Sequence, residues 1–242
     1  MILAGIHPVA EALRGGRPLE RILVAKGAGG PRLQEIIDLA RRGSIPLRFE
    51  PRPALDRLAG TAAHQGVVAL GAAHGYRSLD EVAGEARLLV FLDGVEDPHN
   101  LGAVIRTANA AGAGAVVIPE RRAAGLTDVV AKAAAGALEH LPVVRTGNLN
   151  RALDEVKRAG FAVYGVDERG TDDYDQVAFA EPAALVLGGE GKGLHEMVRK
   201  RCDTLVRIPL AGQIPSLNVS VAAGIVLFEW KRRRQNSTRG SA

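Results

Sequence analysis

Residues 87–108 read RLLVFLDGVEDPHNLGAVIRTA, an apolar run that turns directly into an alanine-rich segment. The run predicts a buried β-strand, and the alanine-rich segment predicts a helix from about Asn100 to Ala111. Dinucleotide-binding proteins place a Gly-x-Gly phosphate loop at such a strand-to-helix turn. That loop is missing here, and Asn100 and Arg106 stand at the start of the helix instead. The turn therefore predicts an α/β fold with a different kind of ligand site.

The alternation of strands and helices continues to about residue 234. Apolar strands separated by helices indicate a mostly parallel sheet that is covered on both faces. The further strands are predicted at 115–119, 142–145, 161–167, 183–189 and 205–210, and the helices near 128–137, 149–160, 194–201 and 217–234.

The first 75 residues form a separate pattern of short helices and strands, which predicts a small α/β unit. A polar segment at 76–86 is the expected linker to a larger domain over 87–235, and 236–242 form a basic and polar tail. Both ends of the chain are basic and the middle is acidic. Residues 1–75 hold ten Lys or Arg against six Asp or Glu, 76–230 hold sixteen against twenty-one, and 231–242 hold five against none. Two interpretations stay open: the flanks hold a polyanion such as RNA, or they are ordinary solvated surface.

The composition excludes several classes of protein. No apolar stretch approaches the roughly 20 residues that a membrane span requires, and the amino-terminal segment lacks the pattern of a signal peptide. Cys202 is the single cysteine, so no internal disulfide is possible. We therefore expect a cytoplasmic protein that has no membrane partner.

Two stretches of the sequence resemble known functional motifs but lack a residue that each motif requires. LGGEGKGL at 187–194 resembles a phosphate loop, but Gly193 stands where the hydroxyl that holds Mg²⁺ is needed. HEMVR at 195–199 lacks the second histidine of a zinc-protease helix, so we predict that His195 is a surface residue and that no metal is bound. Gly112 and Gly114 follow a helix, where a C-cap explains them.

Three loops at the predicted carboxyl ends of strands are rich in glycine or in hydrogen-bonding side chains. They lie at 93–106, 188–193 and 209–220. Each residue has an ordinary explanation when it is taken alone: Asn100 or Ser216 as a helix N-cap, and Arg106 in a surface ion pair. Ligands of such sheets bind beyond the carboxyl ends of the strands, so the three loops together predict one ligand site.

The motifs NLGAVIRTA (100–108), LVLGGEGKGL (185–194) and IPLAGQIPSLNVSVAAGIVLFEW (208–230) resemble, in order and spacing, the three signature motifs of the SpoU/TrmH family of RNA 2′-O-ribose methyltransferases. The resemblance spans 87–234. The opening GIHPVAEAL (5–13) resembles the L30e-like RNA substrate-binding domain of the bacterial 23S rRNA guanosine 2′-O-methyltransferases, the RlmB group.

The resemblance implies an α/β sheet with a deep trefoil knot, S-adenosylmethionine as methyl donor, and a homodimer with the active site near the subunit interface. The final helix offers an apolar face that suits core or interface equally well: Leu217, Val221, Ile225 and Phe228. Pro215 departs from the family pattern and predicts a stiffer loop.

By position, the resemblance assigns two sets of site residues. The catalytic and positioning set is Asn100, Arg106, Glu190, Ser216 and Asn218. The set that holds the cofactor is Gly188, Gly189, Gly191, Ile208, Pro209, Leu217 and Asn218.

The resemblance also assigns Arg106 to activation of the ribose hydroxyl. A guanidinium has a pKa above 12 and does not deprotonate in proteins. We therefore expect Arg106 to act as a fixed cation that stabilises the developing alkoxide and anchors a phosphate, with Glu190 as its partner. A phosphate oxygen or water would then take the proton.

The expected substrate is a guanosine of 23S rRNA, with no DNA partner. The alternatives within the class are a tRNA ribose methyltransferase and an rRNA methyltransferase that confers thiopeptide resistance. The alternative from a different class is an RNA-binding module that has lost catalysis.

Overall fold

A computed structural model describes residues 2–71, 75–189, 193–214 and 216–239 of the chain. The chain divides into two compact units. The first holds residues 1–75 with 125–128, and the second holds 76–124 with 129–242. Each unit has its own β-sheet and is described by itself.

The first unit confirms the predicted small α/β pattern. Its described strands form a four-stranded sheet in the order β1-β4-β2-β3, in which β2 and β3 are parallel and the other pairs are antiparallel. The short edge strand β1 has no counterpart in the prediction, because three residues are too few to show a period. The elements are β1 (Ile2–Ala4), α1 (Ile6–Arg14), β2 (Leu19–Ala25), α2 (Pro31–Arg42), β3 (Leu47–Glu50), α3 (Arg52–Ala59) and β4 (Val67–Gly71).

The second unit alternates strands and helices along most of its length. A single 3-10 turn lies at Ala137–Glu139. The elements are α4 (Leu79–Ala83), β5 (Leu88–Asp93), α5 (Pro98–Ala111), β6 (Ala115–Pro119), α6 (Asp128–Ala134), β7 (Val143–Thr146), α7 (Leu149–Arg158), β8 (Ala162–Val166), β9 (Asp172–Asp173), β10 (Ala183–Gly188), α8 (Glu196–Arg199), β11 (Thr204–Arg207) and α9 (Val219–Arg239).

The described strands of the second unit form a seven-stranded sheet in the order β7-β6-β5-β10-β8-β11-β9, and every neighbouring pair is parallel. All six residues of β5 are buried, as are the first five of β10. Burial on both faces is what continuous apolar strands predict. The predicted parallel sheet is confirmed; β9, with two polar residues, was not predicted.

The registry of the central strands aligns their carboxyl ends. Gly188 of β10 pairs with Asp93 of β5, and Leu187 pairs with Val166 of β8. The loops after these three strands therefore start at the same edge of the sheet, as the sequence predicted for two of them. The trefoil knot that the resemblance implies stays a prediction.

Helix α5 begins two residues earlier than the sequence predicted. Asp97 is its N-cap, and the Asp97 carboxylate accepts hydrogen bonds from the backbone N–H groups of His99 at 2.6 Å and Asn100 at 3.1 Å. Pro98 occupies the first helical position, where its missing N–H costs nothing. The interpretation of Asn100 as the N-cap is therefore wrong, and the Asn100 side chain is left for other contacts.

Helix α9 starts at Val219 and reaches Arg239, so it ends five residues beyond the prediction. It packs on α5. Its buried residues are Val219, Ala223, Val226, Leu227 and Trp230. The predicted apolar face lies outside this core: Leu217, Val221 and Phe228 are exposed and Ile225 is half-buried. Among the described residues, no helix is long and apolar enough to cross a membrane.

The basic residues near the end of α9 bind acidic and carbonyl groups of the same unit. Arg232 and Arg233 both bond the Glu229 carboxylate, and Arg234 pairs with Glu181 at 3.0 Å. Lys231 donates to the carbonyl oxygen of Ala110. The hydrogen bond from Arg232 helps to lower the pKa of Glu229. Much of the positive charge of KRRRQ is therefore used within the fold.

We predict that the thiol of Cys202 is unreactive in the native protein. Burial, together with the nearby Asp203 carboxylate, raises the pKa of Cys202 to about 12. The thiolate is the reactive form of cysteine, so at pH 8 about one thiol in 10⁴ would be reactive. Alkylation by iodoacetamide, followed by mass spectrometry, should be slow in buffer and rapid in denaturant; complete modification of the native protein within minutes would contradict this.

Candidate active site

A cavity of about 320 Å³ opens at the carboxyl ends of β8 and β10. Apolar side chains form part of its wall, and the backbone of three glycines and the side chains that follow β8 form another part. The described residues that line it are Val166, Asp167, Glu168, Arg169, Leu187, Gly188, Gly189, Gly193, Ile208, Leu210, Ser216, Leu217, Val219 and Ala222. Its volume falls at the lower end of the range of about 300–1,000 Å³ for small-molecule sites.

Two glycines allow the backbone to come close enough to form this cavity. A Cβ atom at Gly189 would overlap the carbonyl group of Gly94, so no side chain fits there. Gly193 has φ of +61°, a conformation that glycine adopts at no cost, and pairs with Gly189 in an isolated β-bridge. Backbone packs against backbone at this point, so a ligand meets N–H and C=O groups directly.

Asp167, which is buried, and Arg169, which is half exposed, form an ion pair at the end of β8. Arg169 donates to the Asp167 carboxylate from Nε at 2.6 Å and from the terminal nitrogen at 2.8 Å, and the Asp167 side chain is fully buried. Burial by itself raises the pKa of Asp167, but the hydrogen bonds from Arg169 outweigh it and the net pKa is lowered. The carboxylate is therefore charged at neutral pH. The backbone N–H of Leu194 also approaches it, at 3.4 Å.

A second cavity, of about 490 Å³, lies beside the first. Gly189, Gly193 and Val219 line both cavities. The other described residues around the second cavity are mostly polar: Asp93, Gly94, Val95, Glu96, Asp97, Asn100, Arg122 and His195. The two spaces thus share a wall, and the second is suited to a polar ligand.

Asp93 holds His195 at the edge of the polar cavity. One carboxylate oxygen accepts the backbone N–H of His195 at 2.8 Å, and the other lies 2.9 Å from Nδ1 of its ring. Nε2 of the same ring is 3.4 Å from a terminal nitrogen of Arg122. The Asp93 side chain is 9% exposed and that of His195 is 42% exposed. His195 is a surface residue, as the sequence predicted, but its ring is fixed.

Asn218 connects α9 to α5. Its Oδ1 accepts from the backbone N–H of Ser220 at 2.9 Å and from the Ser220 hydroxyl at 2.6 Å, which makes Asn218 the N-cap of α9. The Nδ2 group must then face the other way, and it donates to Oδ1 of Asn100 at 3.0 Å. The interpretation of Ser216 as that cap is wrong, because Asn218 fills the position.

The structure brings together part of the predicted site. Gly188, Gly189, Ile208, Leu217 and Ser216 line the first cavity, and Asn100 lines the second. Among the described residues, the following predicted members line neither: Arg106, Pro209 and Asn218.

Arg106 is exposed on α5. No hydrogen bond or ion pair of Arg106 occurs with any of the residues that the structure describes. The predicted surface ion pair is therefore absent from this part of the chain. Glu190, Gly191 and Pro215 lie outside the described residues.

Sequence reasoning missed two groups of lining residues. One is the run of Asp167, Glu168 and Arg169, which follows the apolar strand 161–167. The rule that ligands bind beyond the carboxyl ends of parallel strands also applies to this strand, so the signal was present. The other is the set of Asp93, Arg122 and His195, which the fold gathers from three separate segments.

A parallel α/β sheet with a small-molecule cavity and an adjacent polar cavity at its carboxyl edge is typical of α/β proteins that bind a small ligand there. The family model described as the SpoU rRNA Methylase family matches residues 87–228. A second model, described as RNA 2′-O ribose methyltransferase substrate binding, matches residues 2–77. The chain belongs to the SpoU rRNA methylase family of RNA methyltransferases, which use S-adenosylmethionine as methyl donor.

Related proteins match nearly the whole chain. YacO of Bacillus subtilis (strain 168), described as a TrmH family tRNA/rRNA methyltransferase, is 43% identical, over 95% of this chain and 94% of its own length. The SpoU methyltransferase AviRb of Streptomyces viridochromogenes, solved with AdoMet, is 28% identical with a TM-score of 0.62, over 97% of this chain and 90% of that chain. An AdoMet-bound rRNA methyltransferase of Sinorhizobium meliloti is 26% identical with a TM-score of 0.61, over 96% and 86%.

The residues around the first cavity fit S-adenosylmethionine. Leu187, Ile208 and Leu217 offer apolar surface for a purine, and the carboxylates of Asp167 and Glu168 suit hydroxyl or ammonium groups. The close backbone approach at Gly189 keeps side chains out of this part of the cavity and leaves room for the ligand. The one cation among the described lining residues, Arg169, is neutralised by its ion pair with Asp167, so it presents no unbalanced positive charge to the sulfonium.

We predict that Asn218→Ala lowers the free energy of unfolding by about 1–3 kcal/mol, because it removes a helix cap and a side-chain hydrogen bond. Asn218→Ser keeps a good cap but cannot reach Asn100, so it should restore about half of the loss. Urea unfolding followed by circular dichroism measures both. Equal stability of the serine variant and the wild type would show that the contact with Asn100 contributes nothing, and equal stability of the alanine variant would contradict the cap as well.

Proposed function

We propose that this methyltransferase modifies the ribose 2′-hydroxyl of a guanosine in 23S rRNA. The observation that carries the proposal is the wall of Gly189, Gly193 and Val219 that the two cavities share. A methyl donor in the first cavity and a ribose in the second would be neighbours across that wall. S-adenosylmethionine supplies, when bound, a methyl group on a sulfonium.

Ribosomal RNA is favoured by the extent of the matches. The substrate-binding model covers residues 2–77, and the rRNA methyltransferase of Sinorhizobium meliloti matches 96% of the chain, which includes the first unit. We propose residues 1–75 as the RNA substrate-binding domain, 76–86 as linker and 87–235 as the catalytic domain. The tail KRRRQ is a weaker RNA-binding candidate, because its arginines pair with Glu229 and Glu181.

The predicted catalytic residues take different roles in this proposal. Asn100 contacts the ribose from the wall of the polar cavity, and Asn218 holds the Asn100 amide in a fixed orientation. Ser216 belongs to the donor side of the shared wall. Arg106 supplies a positive charge to the RNA, which requires that the substrate or a second subunit extends over α5.

We propose that the protein is a homodimer that covers the exposed face of α9. Val221 and Phe228 are 50% and 47% exposed, and with the half-buried Ile225 they form one apolar stripe along the helix. Exposed apolar stripes of this kind favour association. We propose that a second copy of the chain covers this stripe. Helix α9 packs on α5, the helix that carries Arg106, so a subunit interface on α9 would also lie close to the site.

We predict that Phe228→Glu converts the dimer to a monomer, because it places a charge in the apolar stripe. Light scattering coupled to size-exclusion chromatography measures the mass in solution. Met197→Glu is the matched control, since Met197 is equally exposed but lies on α8. A wild-type protein of monomer mass, or a Phe228→Glu variant of dimer mass, would contradict the proposal.

The substrate is tested by incubating the protein with labelled S-adenosylmethionine and unmodified transcripts of 23S rRNA and tRNA, followed by mapping of the methylated nucleotide. We expect label at a guanosine ribose of 23S rRNA. Label in tRNA alone would favour the tRNA enzyme, and S-adenosylmethionine that binds without any transfer would favour a module that has lost catalysis.

We predict that Arg106→Lys lowers the rate of transfer by about tenfold or more, because lysine keeps the charge but loses the planar pair of donors. Arg158→Lys, an exposed arginine of α7 that lines neither cavity, should transfer at the wild-type rate. Single-turnover rates on the mapped RNA measure both variants. Full activity of Arg106→Lys would exclude a need for the guanidinium.

A further inference from the structure

We infer that His195, held by Asp93, accepts the proton of the ribose 2′-hydroxyl during methyl transfer. The inference rests on the proposed function. It names the group that accepts the proton, for which the sequence suggested a phosphate oxygen or water. It assigns a chemical role to a histidine that lies outside the residues implied by the family motifs.

The position of His195 suits this role. Its ring borders the polar cavity, which shares the wall of Gly189 and Gly193 with the cavity that fits the methyl donor. The backbone of Gly94 also lies against the ring, because a Cβ atom at Gly94 would come within 3.4 Å of Cε1 of His195. The ring is therefore packed from β5 and still open to the cavity.

The two partners of the ring fix the location of its proton. An ionised carboxylate only accepts hydrogen bonds, so Nδ1, at 2.9 Å from Asp93, carries the hydrogen. A guanidinium only donates, so Nε2, at 3.4 Å from Arg122, presents its lone pair. With the hydrogen at Nδ1, the lone pair of Nε2 is the basic site of a ring that lines the polar cavity. The contact with Arg122 is long, and an incoming hydroxyl can replace it.

The charged groups around the ring favour the protonated product. The groups that face the polar cavity are Asp93 from β5, Glu96 and Asp97 from the loop after β5, and Arg122 from the segment after β6. Three of the four are acidic, and the nearest one is Asp93. An imidazolium formed at His195 is therefore stabilised by an adjacent carboxylate, in the manner of an Asp–His pair in hydrolases.

The other groups near the cavity are weaker candidates. Asp97 already accepts two backbone N–H groups as the cap of α5. Arg106 lines neither cavity, and its guanidinium does not release a proton. The Asn100 amide has no basic nitrogen. An imidazole is a stronger base than a carboxylate such as Glu96, and general bases work best near the operating pH.

The step balances in atoms and charge. The 2′-oxygen forms a bond to the methyl carbon while the carbon–sulfur bond breaks, and the pair of electrons in that bond stays on sulfur. The 2′-proton moves to Nε2 of His195. The ring becomes an imidazolium beside the Asp93 carboxylate, and solvent removes the proton after the product leaves.

His195→Asn is the variant that separates this role from a structural one. The Asn side-chain N–H group can take the position of Nδ1–H and keep the bond to Asp93, but no base remains at the position of Nε2. We expect its single-turnover rate to fall by about 10²–10³-fold, the usual contribution of a general base. His140→Gln, an exposed histidine outside both cavities, is the matched control and should keep the wild-type rate.

Two further measurements distinguish the outcomes. The transfer rate of the wild type should rise with pH as a single group loses its proton. The midpoint of this rise should equal the midpoint of the His195 ring titration, which is measured separately by NMR in the RNA-free protein. The His195→Asn variant should lose the rise. Binding of S-adenosylmethionine, by calorimetry, should change by less than about twofold. A His195→Asn variant with the wild-type rate and pH profile overturns the inference and leaves the proposed function intact. A wild-type protein that transfers no methyl group to any RNA overturns both.

Discussion

The parallel pairing of β10 between β5 and β8 is the constraint on which the site depends. Its registry sets Asp93 and Gly188 side by side and brings the end of β8 to the same edge. The chain then continues through Gly189, whose backbone packs on that of Gly94. Because no side chain fits between these two glycines, the backbone at Gly189 is thin enough to line both cavities. Donor and acceptor sites are neighbours because of this close backbone contact.

Two buried carboxylates stand at the ends of β5 and β8, on either side of β10, and have different partners. Asp167 binds Arg169, a cation that does not titrate, and its pKa is lowered because these hydrogen bonds outweigh the cost of burial. Asp93 binds the imidazole ring of His195. Burying a carboxylate without a partner is costly, so each aspartate holds its partner in place. The first pair adds no net charge to the donor cavity, and the second places an imidazole beside the polar cavity.

The sequence predicted most of the fold and part of the site. The parallel sheet, most of the strands and the three glycine-rich or polar loops followed from apolar periodicity and turn residues, which are local signals. Asp167 was missed although it follows a predicted strand, because a lone Asp-Glu-Arg run reads as ordinary surface. The pair of Asp93 and His195 could not be predicted, since the two residues are 102 positions apart and only the registry of β5 and β10 brings them together.

The caps of α5 and α9 show why local rules also assigned wrong roles. Asn100 and Ser216 are good N-cap residues, yet Asp97 and Asn218 fill those positions. A cap is decided by where the helix starts, and Pro98 and the packing of α9 on α5 fix those starts. Because Asn100 is not the cap, its Oδ1 atom accepts a hydrogen bond from Nδ2 of Asn218. The Asn218 side chain is in turn held by the Ser220 hydroxyl. The bond between the two asparagines therefore links the first turn of α5 to the N-cap of α9, and so connects α9 to a residue that lines the polar cavity.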